Sequence, residues 1–141
     1  MEKVEYWDIY DKNKQRTGRK MKRNDWFLKD DEYHLTVLGV VAHKDGRFLI
    51  TKRVMTKNWA PGWWEVSGGA AMAGEESKEA VLREVKEETG LTLTHWRSRG
   101  LLTFIWGNMT EFIHLYTADR WEGKMIKGDA CKEGVLEWEP K

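Results

Sequence analysis

Short strand-like runs, some of them alternating with a period of two, make up most of this chain and give way to helical spacing once. Residues 4–10, VEYWDIY, predict a strand, the polar run Asp11-Lys12-Asn13-Lys14 a turn, and the stretch from Gly18 to Lys22 a second strand closing a hairpin. HLTVLGVVAH, from His34 to His43, is apolar and rich in β-branched residues, as a buried central strand is. Lys44-Asp45-Gly46 predicts a turn, and Arg47 to Arg53 the returning strand. Val54 to Trp63 reads as a loop around Pro61-Gly62, and Trp64-Glu65-Val66 as a short strand running into Ser67-Gly68-Gly69. Further strands are predicted from His95 to Trp106, with apolar weight from Leu101, Leu102, Phe104 and Ile105, and from Glu111 to Ala118, with a turn at Gly107-Asn108. The helical segment follows Ser77, the expected N-cap. Ala80, Leu82 and Val85, with Val81 beside them, supply its apolar contacts, and Thr89-Gly90 is the stop signal. The class is α+β, and no internal repeat or interdomain linker interrupts residues 1–141.

Composition narrows the picture without naming a function. The 141 residues suit one domain with a sizeable core. A net charge of +1 does not call for nucleic acid as a partner, and no stretch reaches the ~20 apolar residues of a membrane span. The N-terminus lacks the apolar run of a signal peptide, and the single cysteine, Cys131, excludes an internal disulfide and a cysteine metal cluster. A reducing cytoplasm is the expected location. Nine tryptophans suggest a heavily packed core or a stacking site for a planar base. Core packing is expected for Trp64, whereas Trp59 and Trp63, with Arg53, are candidate substrate-binding residues. His34 and His114 read as strand histidines. The basic residues between Lys14 and Arg23 read as a solvated hairpin edge, with a phosphate-facing rim or a subunit interface as the functional alternative.

The chemistry concentrates in the last two turns of the helix. Glu84, Glu87 and Glu88 are three or four apart and converge on one patch. Each like-charge pair costs roughly 0.2–0.5 kcal/mol, and the negative end of the helix dipole adds roughly 0.3–1 kcal/mol per carboxylate. A cation reverses the sign of every one of these terms. A solvated acidic face beside Arg83 and Lys86 is the plainer alternative.

Gly69, Glu75, and then Arg83-Glu84-Val85-Lys86-Glu87-Glu88-Thr89-Gly90-Leu91 resemble the Nudix box at every specified position over 23 residues. The resemblance implies the Nudix fold: an α/β/α sandwich whose mixed, curved sheet carries the box helix on one face, here with an N-terminal β-hairpin extension over residues 1–33. It implies hydrolysis of a nucleoside diphosphate linked to another group, with magnesium or manganese as cofactor. On that resemblance Glu84, Glu87 and Glu88 are metal ligands and Arg83 orients a carboxylate. Glu75 supports the loop or the metal, and Gly68 and Gly69 offer backbone carbonyls. Hard divalent ions do prefer such oxygen donors. Asp119-Arg120-Trp121-Glu122-Gly123, Lys132-Glu133-Gly134 and Glu137-Trp138 are similar to the corresponding region of an antimutator pyrophosphohydrolase of the same family. That similarity makes Glu133 a further ligand or the general base, alongside Glu87 and Glu88 as candidate bases. Family members commonly add a C-terminal helix, so this chain, stopping at Lys141 after the final predicted strand, either lacks that helix or ends before it.

The implied reaction is in-line attack of water on phosphorus. The segment WDIYDKNKQRTGRKMKRNDW is also similar to the extension of a subgroup related to isopentenyl-diphosphate isomerase, which makes such an isomerase one rival. That enzyme needs a cysteine and a metal-binding histidine where this chain has Ser67 and Gly69. A non-catalytic nucleotide sensor is the second rival, and its box is expected to be eroded, whereas this one is complete. An RNA-end pyrophosphohydrolase rests on the basic hairpin alone. The expected partner is a small nucleotide, with no membrane and no nucleic acid. A homodimer is a further expectation, because relatives commonly form one and the hairpin offers an exposed surface.

Overall fold

The computed structural model describes residues 4–23, 28–52, 64–107, 109–125 and 136–140, with the side chains of Lys52 and 136–140 left aside. Strands β1 (Tyr6–Asp11) and β2 (Arg16–Lys22) form the expected hairpin. Asp11 builds its turn, accepting the amides of Asn13 at 2.8 Å and Gln15 at 3.0 Å. Strand β3 (Glu32–Val41) is the axis of the main sheet. One edge of β3 takes β1 at residues 32–33 and then β6 (Ser67–Ala70) at residues 36–39, both antiparallel. Its other edge takes β8 (Met109–Glu122) in parallel, from His34↔Glu111 to Val41↔Ala118. Strand β7 (Thr92–Trp106) pairs antiparallel with β8. A second sheet joins β4 (Arg47–Lys52) to β5 (Trp64–Glu65) and to β9 (Leu136–Pro140), both antiparallel.

Helix α1 (Ser77–Thr89) lies on one face of the main sheet, as expected for an α+β fold with a mixed sheet. It buries Ala80, Val81, Val85 and Thr89 against a core that includes Val37, Val41, Tyr116 and Ala118. Burial of each valine stabilises the fold by roughly 1.5–3 kcal/mol. Gly90 ends the helix at φ 83°, a left-handed conformation that needs no Cβ, and donates its amide to Lys86 O at 2.9 Å.

Three expectations need correction. Ser77 is not the N-cap. Glu76 is, in a capping box with Glu79, so Ser77 falls one residue inside the helix and bonds the Tyr116 hydroxyl at 2.6 Å. Trp64 does not pack in the core but stands 44% exposed on the two-residue strand β5. Leu102, Phe104 and Ile105 also face solvent, Ile105 at 63%, because they lie on β7, the edge strand of the sheet, and the β7–β8 ribbon protrudes past β3 from Ile105↔Thr110 to Trp106↔Met109. Leu101, one residue earlier, still packs against the core.

Candidate active site

Two stripes of α1 set the site. Ala80, Glu84 and Glu88 follow one another at intervals of four along the margin of the buried face, and Arg83 and Glu87 form the next stripe outward. The Glu84 side chain is accordingly only 15% exposed, whereas that of Glu87 is 57% exposed. β6 borders these stripes. A Cβ on Gly69 would lie 2.7–2.8 Å from the Glu84 carboxylate, so only glycine leaves room for that acid. The neighbouring Gly68 donates its amide to Glu88 Oε2 at 3.2 Å.

Arg83 is the hub. Its Nε and Nη2 hold both oxygens of Glu75, at 2.7 and 2.9 Å. Nη1 donates to Glu84 at 2.9 Å and to Glu87 at 3.2 Å, and Nη2 also reaches Ala70 O at 3.3 Å. Such a bidentate fork fixes orientation as well as charge. Glu75 completes its own shell by accepting the Met72 amide at 2.8 Å. Burial opposes ionisation of Glu75, but the bonds from Arg83 and Met72 outweigh it and hold the carboxyl below its ordinary range. The bond to Glu75, ahead of the attraction of Glu84, raises the pKa of Arg83.

Glu84 goes the other way. Burial lifts its pKa above the ordinary value; Arg83 and a hydrogen bond with Glu88 oppose this, while the charge of Glu87 adds to it. Two acids in hydrogen-bond contact require a proton or a cation between them. The donor set is therefore all oxygen and desolvated at Glu84, which fits a hard divalent ion. No three acidic, histidine or cysteine side chains among the described residues are gathered as a ready chelate. Glu84 and Glu88 form the nucleus of the cluster, and the Glu87 carboxylate is drawn aside to Arg83.

The fold thus brings together Gly68, Gly69, Glu75, Arg83, Glu84, Glu87 and Glu88. Arg53, Trp59, Trp63 and Glu133 lie outside the described residues. His34 is buried, stacked on Trp7 at 4.7 Å and paired through Nε2 with Glu111 at 3.0 Å. His114 bonds Ser98 at 2.6 Å and stacks on Tyr116 at 4.4 Å. A groove of about 870 Å³ lies apart from the acid cluster, with Val40, Phe48, Trp96, Arg97, Arg99 and Arg120 among its lining. The sequence reading missed Asp8 and Arg16, which hold the loop before α1. Their partners lie about sixty residues away, and the resemblance of residues 7–26 to a subgroup's extension does not say what either residue touches.

Comparison with known proteins bears on the family and the fold. An uncharacterised Nudix hydrolase of Listeria innocua is 34% identical over 102 residues, covering 72% of this chain and 60% of that protein. An oxidised purine nucleoside triphosphate hydrolase of Danio rerio is 32% identical over 100 residues, covering 70% and 62%. The chain therefore spans about three-fifths of the length of these relatives. A crystal structure from Deinococcus radiodurans shares the fold with a TM-score of 0.77 at 23% identity, over 96% of this chain and 83% of that one. The NUDIX domain family matches residues 32–140, which takes in β3, β6 and the whole acid-bearing helix, and the chain belongs to that family.

Proposed function

We propose that this chain is a metal-dependent hydrolase that cleaves the diphosphate linkage of a nucleoside triphosphate or a nucleoside diphosphate derivative. The observation that carries the reading is Glu84, held beneath Gly69 with a raised pKa although Arg83 bonds it, since that one guanidinium is divided among Glu75, Glu84 and Glu87. Glu84 and Glu88 would hold the ion with Glu87, and the carbonyls of Gly68 and Gly69 are further donors. Bound there, magnesium or manganese would supply charge neutralisation for the diphosphate and activation of water. Arg83 keeps Glu84 turned toward β6, and Glu75 locks Arg83 by accepting from both Nε and Nη2. Glu87, Glu88 and Glu133 are the candidates to orient the attacking water or take its proton, a role for which solvent-facing Glu87 is the least encumbered described group. Arg53, Trp59 and Trp63 are assigned to the remainder of the substrate. The name of the Danio rerio relative favours a nucleoside triphosphate as the first substrate class to try.

The basic hairpin gives little support to a nucleic-acid reading. Arg16 pairs with Asp8 and Glu76, Arg19 with Glu32, and Arg23 with Glu5, so these cations are already compensated. No helix among the described residues is long and apolar enough to cross a membrane.

The test is phosphate or pyrophosphate release from a panel of nucleoside triphosphates, oxidised purine nucleotides and nucleotide sugars, with and without magnesium or manganese. Turnover that needs the metal and is lost in Glu84→Gln is the expected result. Metal-dependent binding of one compound without turnover would replace the hydrolase by a sensor.

A further inference from the structure

The N-terminal hairpin precedes the matched family region, yet its polar groups are aimed at the loop that carries Glu75. Asp8 is buried on β1 and uses one oxygen twice, accepting the Gly74 amide at 2.7 Å and Arg16 Nε at 3.1 Å. Arg16, on β2, donates Nη2 to the Glu75 carbonyl at 2.9 Å and reaches the Glu76 carboxylate with Nη1 at 3.4 Å. A backbone bond, Ala73 N to Tyr6 O at 2.8 Å, ties the same loop to the start of β1. Residues 73–76 are thus held at four consecutive positions by two strands distant in sequence. Gly74, at φ 86°, belongs to the turn in this loop.

The next link is the acid cluster. Glu75 receives Arg16 on its carbonyl and Arg83 on its carboxylate, so one residue joins the hairpin to the hub of the site. Arg83 in turn holds Glu84 and Glu87. The geometry points to Asp8 and Arg16 as positioning residues: they fix the backbone at Glu75, and through Arg83 they set the carboxylate geometry of Glu84. The inference rests on the acid cluster being the catalytic centre. Neither residue touches a reacting group, and they act by keeping the fork of Arg83 in register. Direct partners of metal ligands, the place Arg83 would hold, typically affect affinity or activity by roughly 10–100-fold, and residues acting through Arg83 fall at the lower end.

The experiment compares the unaltered chain with Asp8→Asn, Arg16→Ala, Arg16→Lys and, as a control within the same hairpin, Arg23→Ala. Arg23 pairs with Glu5 and touches no part of the 73–76 loop in the described contacts. Amide hydrogen exchange at residues 72–76 reads the brace with no need for turnover. Manganese titration and the split between kcat and KM read its effect on the site. Arg16→Ala is expected to speed exchange at Gly74 and Glu75 and to lower kcat about tenfold with KM little changed. Asp8→Asn is expected to act in the same direction. Arg16→Lys keeps the charge without the fork and should fall between wild type and Arg16→Ala. Unchanged exchange in Arg16→Ala, or equal effects from Arg23→Ala, overturns the proposal. Faster exchange in a chain that turns over nothing would leave the brace standing, shift the decision on positioning to manganese affinity, and count against the hydrolase reading alone. Under that outcome, unchanged manganese affinity in Arg16→Ala overturns the positioning role.

Discussion

Glu32 and Glu84 are two largely buried glutamates, each beside an arginine, and their carboxyl groups move in opposite directions. At the start of β3, burial disfavours the Glu32 anion, but the Lys29 amide at 2.8 Å and the Arg19 guanidinium overcome that cost. Its pKa falls below the ordinary value. At Glu84 burial prevails and the pKa rises, because Arg83 also serves Glu75 and Glu87. Density of charge is similar in the hairpin and in the box helix. What separates a brace from a candidate site is whether the charges are already matched within the fold.

The sharpest way to break that contrast is Gly69→Ala. The added methyl would enter the space of the Glu84 carboxylate, which must then swing away. A misplacement of about 1 Å costs on the order of 100-fold in rate, so kcat should fall by that factor while the melting temperature moves little. Retention of full activity would show that the buried position of Glu84 does not matter to the chemistry. Arg83→Ala comes next and should destabilise the protein by roughly 2–3 kcal/mol in chelator, since partly buried Glu75 and Glu84 both lose their cation. Thermal unfolding with manganese should recover part of that loss if an ion can stand in for the guanidinium.

The pair itself is compared by pH. The folded pKa of Glu32 lies below its unfolded value, so its contribution is present above the ordinary carboxylate range and lost as pH falls through the folded pKa. Glu32→Gln should therefore cost about 1 kcal/mol at neutral pH, a figure discounted for solvent around Arg19, and the difference should vanish in acid. Glu84 has the reverse sign. Its contribution is complete below the ordinary range and is lost as pH rises through the raised pKa. In chelator, Glu84→Gln should gain roughly 0.2–0.5 kcal/mol at neutral pH from relief of like-charge repulsion, with the gain disappearing in acid. Parallel pH profiles for the two variants would dissolve the contrast. An effect of similar size concerns the other end of the helix. Glu79→Ala should cost roughly 0.5–1 kcal/mol by opening the capping box, and Ser77→Ala about as much, through its bond to the Tyr116 hydroxyl and not through a cap.

Much of this arrangement is legible in the sequence, for reasons that also set its limits. The hairpin, β3, β4 and α1 follow from periodicity and from turn residues whose effects are local. The acid cluster follows because helical geometry turns spacing into proximity. Ser77 misled because Glu76 and Glu79 form a capping box that starts the helix one residue earlier than a serine cap would imply. Trp64 and Leu102 misled because alternation records which way a side chain points, not whether another layer covers it. Asp8 and Arg16 were out of reach: their contacts to residues 74–76 join strands to a loop across the fold, and nothing local to VEYWDIY or QRTGR encodes that meeting.

The protruding end of the β7–β8 ribbon has an optical consequence. Trp106 stands 67% exposed there with Phe104 beside it, 6.4 Å between ring centroids, while Trp7 is buried and stacked on His34. An indole surrounded by water emits at longer wavelength and is open to collisional quenchers, and a buried one is neither. Trp106 and the exposed Trp64 should thus both feed the red edge of the intrinsic fluorescence, and a soluble quencher such as acrylamide should reach them before it reaches Trp7. Trp106→Phe would isolate the share of that edge that reports on the tip of the sheet.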